Sequence, residues 1–288
     1  MRPQHLKSKI FLDGGDPDES KEFISLFGFL DGQTTNPSLI SKNPAARARI
    51  ERGEKFSTTE ILDFYREVVR ELSALIPDGS VSVEVYADST TTAGEMLKQA
   101  EEMFSWIPNA HIKFPTTHEG LKAAEQGMKK DLRANMTLCF TQEQAAAVYA
   151  ATKGAKKGDV FVSPFVGRLD DRGESGMDLI ANILRMYRGG DGHVEVLTAS
   201  VRTMDHLLYA LSLGSDIITA PFTVLKEWGQ AGLKVPAGDY IYDRKKLTPI
   251  RFLDLDLAAE WRDFEILHEL TDTGQEKFAA DWNALIRK

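Results

Sequence analysis

The stretch AHIKFPTTHEGLKAAEQGMKK, residues 110–130, contains a short apolar run, a turn and a helical pattern, in that order. His111–Phe114 reads as a strand, and Pro115, Thr116 and Thr117 close it with a turn. Gly120–Lys129 reads as a helix. One residue breaks the pattern, because Lys113 sits inside the apolar run. Successive strand side chains point to opposite faces, so Ile112 and Phe114 share one face and Lys113 takes the other. Desolvating an ammonium is costly unless a partner receives it. The face that Lys113 occupies must therefore be polar.

The same unit repeats along the chain. Strands are predicted at Lys9–Asp13, Phe29–Thr35, Val81–Tyr86, His111–Phe114, Arg133–Phe140, Asp159–Phe165, Glu195–Val201 and Asp216–Thr219. The clearest helices between them are Thr58–Ile76, Thr90–Trp106, Gly120–Lys129, Gln142–Lys153, Gly176–Arg188 and Thr203–Leu213. Strands alternating with helices imply a parallel sheet, and eight of them close most economically as a (β/α)8 TIM barrel. A doubly wound open sheet is the competitor, but FLDGGDPDES after the first strand lacks the G-x-G-x-x-G spacing of a dinucleotide loop. Extra helices are expected after strand 2, between Pro37 and Gly79. The tail 253–288 reads as a C-terminal extension of two helices split near Thr271–Gly274, packed on the barrel. No linker rich in Pro, Gly or Ser appears, so residues 1–288 are expected to form one domain.

Composition limits the partners. At 288 residues and 42% hydrophobic, the chain can bury a large core. Lys and Arg number 35 against 43 Asp and Glu, a net charge of -8. That balance repels nucleic acid and anionic membranes, although a local basic pocket can still take a small anion. The single cysteine, Cys139, excludes an internal disulfide and a cysteine-based zinc site, and fits a reducing compartment. No apolar run approaches the roughly 20 residues that span a bilayer, and Met1–Lys9 lacks the apolar segment of a secretory signal. A soluble, unprocessed, cytoplasmic protein is expected.

The alternation seen around Lys113 recurs. Ser82 and Glu84 oppose Val81, Val83 and Val85; Asn135, Thr137 and Cys139 oppose Met136 and Leu138. Polar residues gather at the C-terminal ends of the strands, where barrel enzymes place their chemistry. Asp13, Asn36, Glu84, Lys113, Asn135, Thr137, Ser163, Ser200 and Arg202 form a convergent set. In such a cavity Lys113 is a candidate imine-forming nucleophile, since desolvation favours the neutral amine that attacks a carbonyl. Asp13 or Glu84 would then move the proton. An inert buried Lys113–Glu84 ion pair is the structural alternative. Arg168 and Arg202, with the Ser200 hydroxyl, make a candidate phosphate seat; the alternative for Arg168 is a surface bridge to Asp170 or Asp171.

Taken in order, FLDGGD, TTNPSLI, SVEV, IKFPTTHEGLKA, ANMTLCFTQEQA, SPFVGRLDD, ASVRT and DTGQEKFAADW resemble the transaldolase family, from Ile10 through the C-terminal helix. The resemblance implies a (β/α)8 barrel and transfer of dihydroxyacetone from sedoheptulose 7-phosphate or fructose 6-phosphate to an aldose phosphate, glyceraldehyde 3-phosphate or erythrose 4-phosphate, in the pentose phosphate pathway. It implies Lys113 as the Schiff-base lysine and Asp13 as the group that removes the C4 hydroxyl proton. Glu84 would work through a water held with Thr137. Asn36, Asn135 and Ser163 would bind the dihydroxyacetone unit, and Arg168, Ser200 and Arg202 the phosphate. Sugar phosphates are the implied partners, no metal or organic cofactor is implied, and a homo-oligomer is compatible with it. Gln33, Phe114, Thr203 and the DGGDP turn depart from the usual family sequence and bear on substrate preference.

Other readings compete. The nearest resemblance besides is to fructose 6-phosphate aldolase, a relative that releases free dihydroxyacetone and in which a tyrosine at the position of Phe165 and a glutamine at that of Glu84 alter the proton chemistry. Phe165 is thus a substrate-site candidate that favours transfer. A non-catalytic sugar-phosphate-binding barrel would keep the arginines but gives no reason for the lysine and two carboxylates to coexist. A metal-dependent hydrolase needs a histidine cluster at the mouth, where only His111 and His118 are expected.

Overall fold

In a computed structural model, which describes residues 2–238 and 240–287, eight parallel strands close into a barrel in sequence order. Met1, Asp239 and Lys288, and with them both ends of the expected 1–288 domain, lie outside the described residues. The strands are β1 (Lys9–Asp13), β2 (Gly32–Thr34), β3 (Ser80–Glu84), β4 (Ala110–Pro115), β5 (Ala134–Cys139), β6 (Val160–Pro164), β7 (Val194–Thr198) and β8 (Ile217–Ala220). All eight predicted strands exist, each within three residues of its expected ends. Around them run α1 (Pro17–Phe27), α2 (Pro37–Ile40), α3 (Pro44–Glu51), α4 (Thr58–Leu75), α5 (Ala93–Phe104) and α6 (His118–Met128). The second half carries α7 (Gln142–Ala151), α8 (Val166–Asp171), α9 (Gly176–Tyr187), α10 (Met204–Leu213), α11 (Phe222–Gln230) and α12 (Glu269–Leu285).

The opening stretch shows why the unit folds as it does. Ile112 and Phe114 are fully buried. Thr117 ends the turn as the N-cap of α6, its hydroxyl accepting the Gly120 N–H at 3.1 Å. Gly120 allows the helix to close on its strand, since a Cβ there would lie 1.9 Å from the Pro115 carbonyl oxygen. His118 is the first residue of the helix. Ser57, Thr92 and Thr141 start α4, α5 and α7 with full capping boxes.

The tail departs from expectation. A 3-10 turn at Trp261–Asp263 precedes one continuous helix, α12, which runs through Thr271–Gly274 without a break. Gly274 serves close approach: a Cβ there would stand 2.6 Å from both Leu138 Cδ2 and Arg168 Nη1. The Thr271 hydroxyl donates to the Leu138 carbonyl at 2.9 Å and accepts from Gln144 Nε2 at 2.8 Å. The tail thus docks α12 across the C-terminal mouth of the barrel. No helix among the described residues is long and apolar enough to cross a membrane.

Candidate active site

Glu84, Lys113 and Asn135 fall in one row across β3, β4 and β5. Lys113 Nζ stands 2.9 Å from Glu84 Oε2 and donates to the Thr35 carbonyl at 3.0 Å; the two side chains are only 4% and 5% exposed. Lys113 opens onto a cavity of about 200 Å3 at the C-terminal mouth, lined also by Asp13, Asn36, Thr137, Ser163, Phe165, Arg168 and Ser200. Glu84 lies behind the amine and borders a small adjoining space beneath α12. The Thr137 hydroxyl is buried without a hydrogen-bond partner among the described residues.

Both carboxylates are desolvated, and burial raises each above its ordinary range, while the Lys113 charge pulls back. Asp13 has a further brace: Thr34 Oγ1 donates to Asp13 Oδ1 at 2.7 Å. That uses the Thr34 hydroxyl proton, so Thr219, 2.6 Å away, donates to Thr34. Asn36 caps α2 by accepting the Leu39 N–H at 2.8 Å, which leaves its Nδ2 as a donor for the cavity. Asn135 is fully buried and is not part of the cavity lining. Its amide donates to Ser82 Oγ at 3.0 Å and accepts from Ser163 Oγ at 2.6 Å, so it holds the floor while Ser163 faces the cavity.

The two arginines have different placements. Arg168 lines the cavity, its guanidinium held between the Phe165 and Phe278 rings at 5.4 and 5.5 Å. It makes no bridge to its neighbouring acids: Asp170 takes His206 Nε2 at 2.8 Å, and Asp171 pairs with Arg202. Partial burial lowers the Arg168 pKa, with Glu84 opposing that shift and Arg202 adding to it. Arg202 is exposed at the rim, its side chain passing over Gly167, where a Cβ would meet its Nε at 2.5 Å. Ser200 has φ of 57°, a left-handed conformation that costs a non-glycine residue energy and is common where a site dictates the backbone.

Two expectations about the mouth need correction. His111 lies at the opposite end of β4, where it contacts Ser80 Oγ at 2.7 Å and the Gly158 carbonyl at 2.8 Å. Burial depresses its pKa to about 3. Cys139 leaves the polar face because Leu138 takes φ of 59° and the β5–β6 register shifts between Met136 and Cys139. Burial raises its thiol to about 12.

Sequence reading missed Ser38, Leu39 and Lys42, which reach the cavity from α2 and its C-terminal end, and Lys277 and Phe278, which reach it from α12. Thr34 and Thr219 were also missed, although Thr34 shares parity with Asn36. The DTGQEKFAADW block contained the α12 pair, but Phe278 reads there as one more apolar helix residue. Three of the unusual residues lie outside the cavity lining. Gln33 is buried against Ser20 and donates to the Gly14 carbonyl at 2.8 Å, Phe114 faces the wall, and Thr203 caps α10. In the DGGDP turn, Asn43 Nδ2 donates to the Gly15 carbonyl at 2.7 Å, which ties the loop after Asp13 to α3.

The family model described as Transaldolase/Fructose-6-phosphate aldolase matches residues 10–288. A protein of Dehalococcoides mccartyi named "Probable transaldolase" is 35% identical over 96% of this chain and 99% of its own length. Proteins of the same name from Methanococcus maripaludis and Alkaliphilus metalliredigens are 36% and 34% identical, over 96% and 97% of this chain and 98% and 100% of their own lengths. The barrel, the buried lysine at its mouth and these full-length matches agree: the chain belongs to the transaldolase/fructose-6-phosphate aldolase family.

Proposed function

We propose that this protein is a transaldolase that moves a dihydroxyacetone unit from a ketose phosphate to an aldose phosphate through an imine on Lys113. The observation that carries the reading is the dry Lys113 amine, held between Glu84 and the Thr35 carbonyl and opening onto a cavity that also contains Asp13 and Arg168. A neutral amine has two N–H bonds and one lone pair. One N–H is held by the Thr35 carbonyl and Glu84 Oε2 stands 2.9 Å from the nitrogen, so the lone pair can turn to a substrate carbonyl in the cavity.

Attack on C2 of the ketose gives a carbinolamine. Glu84, with a water held by the Thr137 hydroxyl, which has no hydrogen-bond partner among the described residues, moves the protons that expel water and leave the iminium. Asp13 takes the C4 hydroxyl proton, the C3–C4 bond breaks, and its electron pair moves into the iminium to give the enamine. The aldose phosphate departs from Arg168, Ser200 and the rim residue Arg202. An acceptor aldehyde then takes the enamine carbon, Asp13 returns its proton, and hydrolysis frees Lys113. Asn36, Ser163 and, from beneath, Asn135 hold the three-carbon unit. No metal or organic cofactor enters these steps.

Transfer is favoured over simple cleavage by Phe165. Its ring lies against Arg168 and edge-on to Phe140, 5.9 Å between centroids, and brings no O–H to the mouth that could protonate the enamine. Borohydride with fructose 6-phosphate should trap an adduct on Lys113 by mass spectrometry, and Lys113→Ala should abolish it. An unmodified lysine under saturating ketose overturns the mechanism. Rapid release of dihydroxyacetone without erythrose 4-phosphate overturns transfer in favour of cleavage.

A further inference from the structure

Parallel pairing of β2 with β3 runs Gly32↔Ser80, Gln33↔Val81 and Thr34↔Ser82, and the Thr35 N–H reaches the Ser82 carbonyl at 3.2 Å. One step further, the parallel pattern would send the Glu84 N–H to the Thr35 carbonyl. The Glu84 N–H instead donates to the Tyr65 hydroxyl at 2.8 Å, and the Thr35 carbonyl receives Lys113 Nζ at 3.0 Å. Tyr65 comes from α4, in the long connection between β2 and β3, and is fully buried. Its hydroxyl also lies 2.6 Å from Thr35 Oγ1. Thr35 donates its one hydroxyl proton to the Ser82 carbonyl at 2.7 Å, so the phenol proton goes to Thr35. Burial keeps the phenol protonated, which preserves that direction.

We infer that Tyr65 is a positioning residue for the Lys113 chemistry: its hydroxyl replaces a ladder carbonyl as the acceptor for Glu84 N–H and frees the Thr35 carbonyl to orient the lysine amine. One O–H thereby sets both partners of Lys113. It anchors the backbone that carries the Glu84 carboxylate, and it releases the carbonyl on the amine's other side. The inference rests on the Schiff-base reading above. A carbonyl has two lone pairs, so the ladder N–H would compete with the amine for the Thr35 carbonyl; with that N–H on Tyr65, the carbonyl is left to Lys113 Nζ.

Tyr65→Phe tests it, because the ring keeps its edge-on packing against Trp106 and Trp282, at 5.9 and 5.8 Å, and loses only the hydroxyl. With fructose 6-phosphate and borohydride, the expected result is a roughly 10- to 100-fold slower single-turnover trapping of Lys113 and the same loss in kcat, with KM within about 2-fold. Wild-type trapping rate and kcat in the folded variant, whatever its Tm, would reduce Tyr65 to a packing residue and overturn the inference. If Tyr65→Phe does not fold, Thr35→Val removes the acceptor of the phenol proton from the other side. It should slow trapping by roughly 3- to 10-fold with KM unchanged; an unchanged rate overturns the inference. Failure to trap wild-type Lys113 at all is a different result, which removes the Schiff-base reading itself.

Discussion

Two lysine–glutamate pairs, each closed at 2.9 Å, occupy opposite ends of the barrel. At the base, Lys9 on β1 meets Glu195 on β7, with Lys9 lying 5.8 Å from the centroid of the Phe161 ring that stacks on His111. At the mouth, Lys113 on β4 meets Glu84 on β3. Separation does not distinguish them; solvent and neighbours do. Lys9 is 43% exposed although Glu195 is only 7% exposed, so water reaches the amine and screens the pair from one side. Lys113 is 4% exposed, a second carboxylate acts on the same amine, and the amine opens onto a cavity. An ion pair of ordinary length becomes chemically useful when it is dry, crowded and open on one side.

The strongest test of this contrast removes each lysine in turn. Lys113→Ala should cut turnover by more than about 1,000-fold, measured with coupled detection of the released aldose phosphate. Residual turnover within about 10-fold of wild type would place the chemistry elsewhere. Next in size is Asp13→Asn, expected to lower kcat by roughly 100- to 10,000-fold while the borohydride adduct on Lys113 still forms. The same variant sharpens the thermodynamic side. A carboxylate whose folded pKa is raised binds more protons when folded than when unfolded, so it lowers stability as pH rises above its ordinary value of 3.8. Asp13→Asn should therefore melt above wild type at pH 8, with the gap closing toward pH 4; a constant gap would mean the carboxylate is not strained by burial.

A smaller effect is expected at the roof of the mouth. Alanine for a mid-helix glycine ordinarily gains up to about 1 kcal/mol. At Gly274 the new methyl would meet Arg168 and Leu138, and overpacking of this kind costs about 1–3 kcal/mol. Gly274→Ala should lower Tm and raise KM for the ketose phosphate by roughly 3- to 10-fold. A stabilised variant with unchanged KM would show that α12 is not seated on Arg168. Smallest of all, Lys9→Met should leave kcat and KM within about 2-fold and cost about 1 kcal/mol in denaturant unfolding. A large loss of activity there would dissolve the distinction between the two ends.

The roof also shows where local pattern stops being informative. Lys113, Asp13 and Glu84 were legible because strand periodicity is a property of adjacent residues, and a polar residue on an otherwise apolar strand is visible within five positions. Thr271–Gly274 looked like a helix break because glycine disfavours helices locally; its actual partners, Leu138 and Arg168, lie far away in sequence. His111 has the same parity as Lys113 yet lies toward the other end of its strand, so face alone did not distinguish base from mouth. The Leu138 bulge turned Cys139 away for a reason that only pairing with β6 exposes.

By itself, then, the sequence determined the eight β/α repeats, the polar inner face and the lysine with its two carboxylates, since these follow from side-chain alternation and turn chemistry over a few residues. The tertiary structure alone decided which polar groups meet: Tyr65 with Thr35 and Glu84, Arg202 with Asp171 rather than in the cavity, and α12 as the roof over Arg168. Those choices depend on barrel closure and on a long connection folding back, which bring together groups whose separation along the chain carries no periodic signal.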